Sequence, residues 1–416
     1  MRIILISGKG GVGKTTVAAA TGLASAGQGR RTLIMSFDMA HSLADAFDLE
    51  EAALKSEGPL EIQENLHLQE IDVNAELERE WREIYRFTAV LMTGSGLNEV
   101  LSEEIAIMPG MEEMVALMCL NRHIRSQAYD LIIVDCPPTG EALGFLSING
   151  VLDWYARKRL KLDRKLCKII RPMGFFTETF RDYVPEDNYF TALQRLFEQM
   201  DGVDEMLRDP TITTVRLVAN PEKMVFQETR RAFMYFCMYG ACVDEVVVNR
   251  VLPDHLDYFK EWAAGQHKLV TEMEDCFNPV PVTRVPYLDD EVTGIDKLKA
   301  FSQQMFADRD PAAFGIQSPA YGFDKESDES YKLHVHMPFA EKQDIDIFRK
   351  GEDLIVRVGP FKRNLILPRA LMGMQVTGSS LKNDILEVSF IKPPPDQSEE
   401  ESNERERSET PQAQPF

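Results

Sequence analysis

Paired cysteines are the first thing missing. Six cysteines, at 119, 136, 167, 237, 242 and 276, are scattered through 416 residues with no C-x-x-C pair. That pattern argues against a zinc or disulfide framework and suits a reducing cytosol. Cys237 and Cys242 are close in sequence, but nothing nearby completes a ligand set, so buried thiols are expected. No apolar run approaches ~18 residues, so no segment reads as a membrane span and no stable membrane insertion is expected. Basic charge is also scarce. Lys and Arg number 46 against 67 Asp and Glu, a net charge of −21, which argues against nonspecific binding to nucleic acid or anionic membrane. A strand–loop signal begins at residue 3 and leaves no room before it for a leader; a cytoplasmic chain is expected.

What the chain does have is concentrated near its start. Residues 8–16, Gly8-Lys9-Gly10-Gly11-Val12-Gly13-Lys14-Thr15-Thr16, fit the phosphate-binding pattern G-x-x-x-x-G-K-[ST]. An apolar run, Ile3–Ile6, precedes them and an Ala-rich helical run, Thr15–Ala26, follows. In such a loop the backbone N–H groups turn inward around phosphate, and the helix N-terminus adds its positive dipole end. Gly8, Gly10, Gly11, Val12, Gly13, Lys14, Thr15 and Thr16 are therefore the expected phosphate ligands. Lys14 would neutralise the β- and γ-phosphates of ATP, and the Thr15 hydroxyl would hold Mg²⁺. Lys9 is a second cation in the loop. It reads either as a solvated lysine or as a group reaching the phosphates of a facing subunit, as an arginine finger does in trans.

Strand, loop and helix alternate to about residue 305. Strands are expected at 2–6, 32–36, 66–71, 130–135, 213–219, 244–249 and 280–285. Several are continuous apolar runs, such as Leu131-Ile132-Ile133-Val134. These runs predict a doubly wound, mostly parallel α/β sheet buried under helices, with its ligand beyond the carboxyl ends of the strands. After the second strand comes Phe37-Asp38-Met39-Ala40-His41-Ser42, where Asp38 reads as an acid orienting water on the γ-phosphate or as a helix cap. Asp135 ends an apolar strand and stands where a Walker B acid backs the Mg²⁺ shell. Asn249 closes a later strand and reads as an adenine contact or a turn residue. Pro286 and Tyr287 follow the last strand.

Two inserted helical regions, about 74–128 and 153–208, are rich in Met and aromatic residues. Met111, Met114 and Met118 lie in the first; Phe190, Leu196, Phe197, Met200 and Met206 lie in the second. Pliable Met-rich faces accept varied apolar partners, and they also simply pack helices together. Both readings stand at this level.

The string K-G-G-V-G-K-T-T resembles the deviant phosphate loop of the ATPases that include the arsenite-pump ATPase, the tail-anchored-protein targeting ATPase, the partitioning ATPases and the nitrogenase iron protein. The segment at Asp38 is similar to the switch I motif D-P-A-H-S of the arsenite/tail-anchored branch, with Met39 in place of Pro. Asp135-Cys136-Pro137-Pro138-Thr139-Gly140 resembles its switch II, D-T-A-P-T-G. Pro109-Gly110-Met111-Glu112-Glu113 resembles its P-G-I-D-E element. Asn249 and Pro286 to Gly294 resemble its adenine-binding elements. The resemblance covers residues 1–305. It implies that Asp38 is the catalytic water-activating acid, that Lys9 works in trans across a nucleotide-sandwich homodimer, and that Lys14 serves the phosphates. It also implies that Asn249, Pro286 and Tyr287 hold the base, that Thr15 holds Mg²⁺ with Asp135 in the outer shell, and that the helical regions form an apolar groove. The zinc-binding C-x-x-C of the targeting ATPases is absent, and the arsenite pumps fuse two ATPase halves where this chain has one.

Residues 311–329 read as a linker after an ATPase domain of residues 1–310. The pattern then changes to a two-residue period: Tyr331 to Pro338, Asp344 to Phe348, Asp353 to Val358, Lys362 to Leu367 and Ile385 to Phe390. Residues 330–392 are similar to an α-crystallin (small heat-shock) domain, an all-β sandwich, with Asn383-Asp384 near its N-G turn. His334 and His336 share a face and read as exposed strand histidines. Residues 393–416 are polar, Pro-rich and acidic and read as disordered.

The expectation is an ATP- and Mg²⁺-dependent homodimeric ATPase that binds a hydrophobic protein client, such as a tail-anchored or other membrane protein, as a chaperone or targeting factor. A partitioning or positioning switch and an arsenite-related transport ATPase are the alternatives. An iron–sulfur reductase would need a subunit-bridging cysteine pair, which is not apparent.

Overall fold

The computed structural model describes residues 1–37, 42–50, 58–73, 75–76, 111–147, 160–170, 187–253, 257–317, 321–327, 329–350, 353–368, 371 and 373–393. The chain divides into two compact units, residues 1–320 with 337–339, and residues 321–336 with 340–416.

The first unit is built on an eight-stranded sheet in the order β3-β4-β2-β5-β1-β6-β7-β8. Its strands are β1 (Arg2–Gly8), β2 (Thr32–Ser36), β3 (Leu60–Gln63), β4 (Leu66–Glu70), β5 (Leu131–Asp135), β6 (Thr213–Ala219), β7 (Val243–Val251) and β8 (Val282–Pro286). Every pair is parallel except β3 with β4. All residues of β1, β2, β5 and β6 are buried, as continuous Val/Ile/Leu runs in a covered parallel sheet require. The doubly wound class expected from the sequence is the one found. β4 falls on the strand expected at 66–71, but its hairpin partner β3 has no counterpart among the expected strands, although Asn65 at φ 64° marks the turn between them.

Nine helices are used below: α1 (Lys14–Gly27), α2 (Ser42–Phe47), α3 (Met111–Ser126), α4 (Leu160–Ile170), α5 (Asp187–Met200), α6 (Val203–Arg208), α7 (Lys223–Tyr239), α8 (Lys260–Phe277) and α9 (Ile295–Phe306). Small residues let α1 lie close on the sheet. Ala18, Ala19 and Ala20 are fully buried, and a Cβ on Gly22 would come within 2.4 Å of Ile34 Cδ1. Met111, Met114 and Met118 of α3 are buried, as are Phe190, Leu196 and Met200 of α5. Of the two readings of the Met-rich stretches, these residues follow the packing one.

The amino ends of β1, β6 and β7 carry a buried ionic cluster. Arg2 donates to Asp244 Oδ2 at 2.8 Å, to Thr214 Oγ1 at 3.1 Å and to the Ala313 carbonyl at 3.2 Å. Arg216 donates to the carbonyls of Pro311 and Ala313 at 2.8 and 2.9 Å and pairs with Glu245 at 3.0 Å. The Arg2 guanidinium lies 3.4 Å from the centre of the Phe314 ring. Residues 311–316 are thus held by the first unit and are not a free linker; two guanidiniums take up their carbonyls. The linker expectation also fails at 321–327, which form a paired strand.

The second unit is an all-β unit of two sheets. One has the order β14-β15-β10-β9 and the other β11-β12-β13, with β9 (Tyr321–Ser327), β10 (Ser330–His336), β11 (Ile345–Lys350), β12 (Asp353–Val358), β13 (Phe361–Ile366), β14 (Gln375–Lys382) and β15 (Ile385–Ile391). Leu333, Val335, Leu354, Val356, Leu386, Val388 and Phe390 form its core at alternate positions, the two-residue period expected of strands buried on one face. Asn383 and Asp384, at φ 49° and 61°, make the β14–β15 turn, a left-handed pair of the type I′ kind that these residue types favour. His334 lies between Asp324 on β9, 3.0 Å from Nε2, and Glu387 on β15, 3.7 Å from Nδ1.

Candidate functional site

The phosphate-loop residues lie where β1 gives way to α1. Gly8 sits so close to β6 that a Cβ would meet the Val218 carbonyl oxygen at 2.2 Å. Gly13 takes φ 96°, and a Cβ there would meet Asn249 Nδ2 at 2.4 Å. Only glycine fits either place, so the motif glycines are fixed by close packing as well as by the turn.

Three oxygens converge at the start of α1. The Thr15 hydroxyl donates to Asp135 Oδ2 at 2.7 Å, and the Ser42 hydroxyl lies 3.1 Å from it. Parallel register places Asp135 level with Ile6 on one side and Ser36 on the other, so a fully buried carboxylate ends up behind the loop. A hydroxyl pair backed by a carboxylate is the donor set of a hard divalent cation that keeps several waters, and Mg²⁺ fits it. Ser42 is the member that sequence reasoning did not single out as a ligand; its place in the D-M-A-H-S string was the available signal.

Lys14 is buried and donates to the Lys9 carbonyl at 3.4 Å. Lys9 points elsewhere, and its ammonium lies 3.6 Å from Glu228 on α7, both side chains about one-third exposed (37% and 32%). Asn249 Nδ2 donates to the Val12 carbonyl at 2.9 Å, and Asn249 Oδ1 accepts the Arg250 N–H at 2.9 Å. The amide therefore braces the phosphate loop, with one N–H left for another partner. Asp38 lies outside the described residues. Its neighbour Phe37 packs against Phe145, with ring centres 4.9 Å apart.

These groups open into a cleft of about 690 Å³. Gly11, Gly13, Lys14, Thr15 and Thr16 form one wall, and Asn249, Arg250 and residues 286–293 form the other. Tyr287, hydrogen-bonded through its N–H to the Val251 carbonyl at 2.8 Å, is half-exposed there. The cleft thus brings together Asn249, Pro286, Tyr287 and the phosphate loop, which are far apart in the chain. Asp290 on its rim is held below the usual carboxylate range by its hydrogen bond from Lys297.

A second hollow, of about 100 Å³, lies beside Phe37, Pro137 and Phe145 and is rimmed by Glu112, Glu113 and Glu141. Burial, then the neighbouring Glu113 and Glu141, pushes the Glu112 carboxyl up. It sits between the loop after β5 and the start of α3. Among the described residues no group of three His, Cys, Asp or Glu is placed to hold a metal ion. Among them no helix is long and apolar enough to cross a membrane.

A glycine loop feeding a helix, a strand-end acid behind it and a doubly wound sheet define a phosphate-loop nucleotide hydrolase. Comparison with known families narrows the class. Residues 1–307 match the ArsA-type family described as anion-transporting ATPases, and residues 328–390 match the HSP20-like domain found in ArsA proteins. The chain belongs to this family and is an ATPase. It is 41% identical over 393 residues to putative arsenical pump-driving ATPase 1 of Aquifex aeolicus, covering 92% of this chain and 98% of that one. It is 32% identical to a putative arsenical pump-driving ATPase of Chlorobaculum tepidum, covering 94% and 96% of the two chains. It is 28% identical to the ATPase GET3 of Meyerozyma guilliermondii, covering 76% and 92%.

Proposed function

We propose that this ATPase is a cytoplasmic, homodimeric chaperone or targeting factor whose helical region binds apolar protein segments under nucleotide control. The observation that carries the reading is the exposed stripe of α4. Leu162, Leu166 and Ile169 stand at spacings of four and three residues with 64%, 52% and 57% of their surface open. Three large apolar residues on one helical face need a partner. Arg164 and Lys168 lie against Asp187 of α5 at 2.7 and 3.0 Å, so the helix is anchored through its charged side and leaves its apolar side free.

ATP lies with its phosphates on the loop of Gly8 to Thr16 and its base against Asn249, Pro286 and Tyr287. Thr15 and Ser42, backed by Asp135, would hold Mg²⁺, which would supply neutralisation of phosphate charge. Asp38 aligns a water and its carboxylate accepts the water's proton as the oxygen attacks the γ-phosphorus, the bond to the bridging oxygen breaks and ADP departs with that oxygen. Lys9 leaves Glu228 and reaches the phosphates bound by the second copy, so closure of the dimer and completion of the site are one event. Loss of phosphate then reaches α3 through Phe37, Phe145 and the hollow rimmed by Glu112, Glu113 and Glu141. That is an order–disorder or positional switch of the kind nucleotide hydrolysis drives.

The names of the relatives at higher identity favour a second reading, a subunit that drives an arsenical pump. The distribution of cysteine speaks for the first: Cys119, Cys136, Cys237 and Cys242 are buried, the two half-buried thiols, Cys167 and Cys276, stand on separate helices, α4 and α8, and burial pushes the Cys136 and Cys237 thiols well up, away from the thiolate form that binds soft elements.

The test uses the full chain carrying Asp38→Asn, loaded with ATP and Mg²⁺ and titrated with a labelled peptide of about 20 apolar residues. Binding that is strong with ATP, weak with ADP and lost in Leu166→Glu supports the proposal. No peptide binding in either nucleotide state, with turnover of the wild-type enzyme raised by arsenite, overturns it in favour of the pump reading.

A further inference from the structure

Strand β7 is buried along its length except at one residue, Arg250. The exposure is built in. The pairing of β7 with β8 shifts register between Val248 and Val251, and Arg250 at the shift takes φ 60°. A long side chain in the left-handed region costs roughly 1–2 kcal/mol relative to ordinary backbone. Residues held this way gather at ligand clamps, where the surrounding structure over-determines them. Here the holding group is the Asn249 side chain, which accepts the Arg250 N–H while its own amide grips the Val12 carbonyl. One side chain therefore fixes both the phosphate loop and the orientation of Arg250.

The guanidinium is an unspent charge. Arg250 lines the large cleft, whose other lining cation is Lys14. Its side chain makes no ion pair with any of the described residues, although Asp289, Asp290 and Glu291 line the same cleft. Just past the end of β8, the Tyr287 N–H is bonded to the carbonyl of Val251, the next residue of β7. An exposed planar cation and a half-exposed ring thus line the same cleft as the phosphate loop.

We propose that Arg250 is a specificity residue for the nucleobase half of the nucleotide, its planar guanidinium lying on the face of the purine bound beside Tyr287. Guanidinium planes stack on aromatic faces and gain electrostatic attraction there, more so when water is excluded. The proposal rests on the reading of the cleft as the nucleotide site and adds a residue that motif reasoning passes over. The position carries chemistry because of its backbone, not because of a sequence pattern.

The experiment measures affinities of the full-length protein for ATP with Mg²⁺ and for inorganic tripolyphosphate with Mg²⁺, in the wild type, Arg250→Gly and Arg250→Asn. Gly and Asn both tolerate positive φ, so both variants keep the turn, and thermal unfolding checks that each is folded. Expected is an ATP affinity about tenfold weaker in both variants, the loss of about 1.4 kcal/mol that one desolvated cation–π contact supplies, with tripolyphosphate affinity within twofold of wild type. Equal losses for the two ligands would make Arg250 a phosphate contact and overturn the proposal. Unchanged ATP affinity would overturn it as well. If the wild type bound neither ligand, the cleft itself would be misassigned and this inference would fall with it.

Discussion

The two ends of the central sheet treat charge in opposite ways. At the amino ends of the strands, Arg2 and Arg216 are buried and given partners: Asp244, Glu245 and the carbonyls of 311 and 313. Desolvation dominates there and lowers the Arg2 pKa to about 10, with Asp244 working against it. At the carboxyl ends, Arg250 has no ion pair among the described residues and Lys9 holds only a half-open one. Charge that is used up internally holds the fold; charge left open is available to a ligand. The same strands do both, because a parallel sheet puts all its strand ends of one kind at one edge.

That contrast can be broken most forcefully from below. Asp244→Ala leaves two buried guanidiniums without their shared carboxylate, and unfolding in denaturant should show a loss of about 3–5 kcal/mol. A loss under about 1 kcal/mol would mean that the cluster is dispensable and that residues 311–316 are held by packing alone.

The next effect concerns pH. His123 on α3 is buried, with Nε2 2.6 Å from Gln69 Oε1, and burial, helped by Arg122, lowers its pKa to about 4. The folded value lies below the unfolded one of about 6.5. Its contribution is therefore fully present above about pH 6.5 and is lost as pH falls towards 4, to a total of about 3 kcal/mol. Denaturant titrations at pH 7 and pH 4.5 should show a smaller difference in His123→Gln than in the wild type. Equal differences would refute the assignment.

The smallest effect is expected at the open end. The Lys9–Glu228 pair is long, at 3.6 Å, and about a third exposed, so Glu228→Gln should change stability by less than about 1 kcal/mol. A larger loss would place Lys9 among the structural charges and against a role in trans.

Much of this was legible in the chain. Continuous apolar runs marked the central strands such as β1, β5 and β7, since burial on both faces leaves no alternation to confuse, while β4 and β8, with polar residues among their apolar ones, were placed by the strand–helix alternation around them. The glycine loop and Asp135 were legible because their chemistry demands fixed types at fixed spacing. The strap at 311–316 was not, because Pro, Asp and Gly have the same composition whether free or gripped by Arg2 from more than 300 positions away. Asn249 was found, but its brace on Val12 was not, since a hydrogen bond across 237 positions leaves no local mark. Arg250 was passed over because its left-handed backbone follows from a register shift between strands. The short edge strand β3, and β9 and β14 within polar stretches, lacked the apolar runs or the two-residue alternation that marked the other strands.

The most direct test compares Lys14→Ala with the wild type by calorimetric titration of ATP and Mg²⁺, followed by thermal unfolding of the unliganded proteins. Lys14 belongs to the end of the sheet that is kept for a ligand. The expected result is an ATP affinity at least a hundredfold weaker, about 2.7 kcal/mol, with the unfolding temperature within about 2 °C of wild type. An ATP affinity within threefold of wild type, or a variant that fails to fold, would contradict the division of the sheet into a structural end and a binding end.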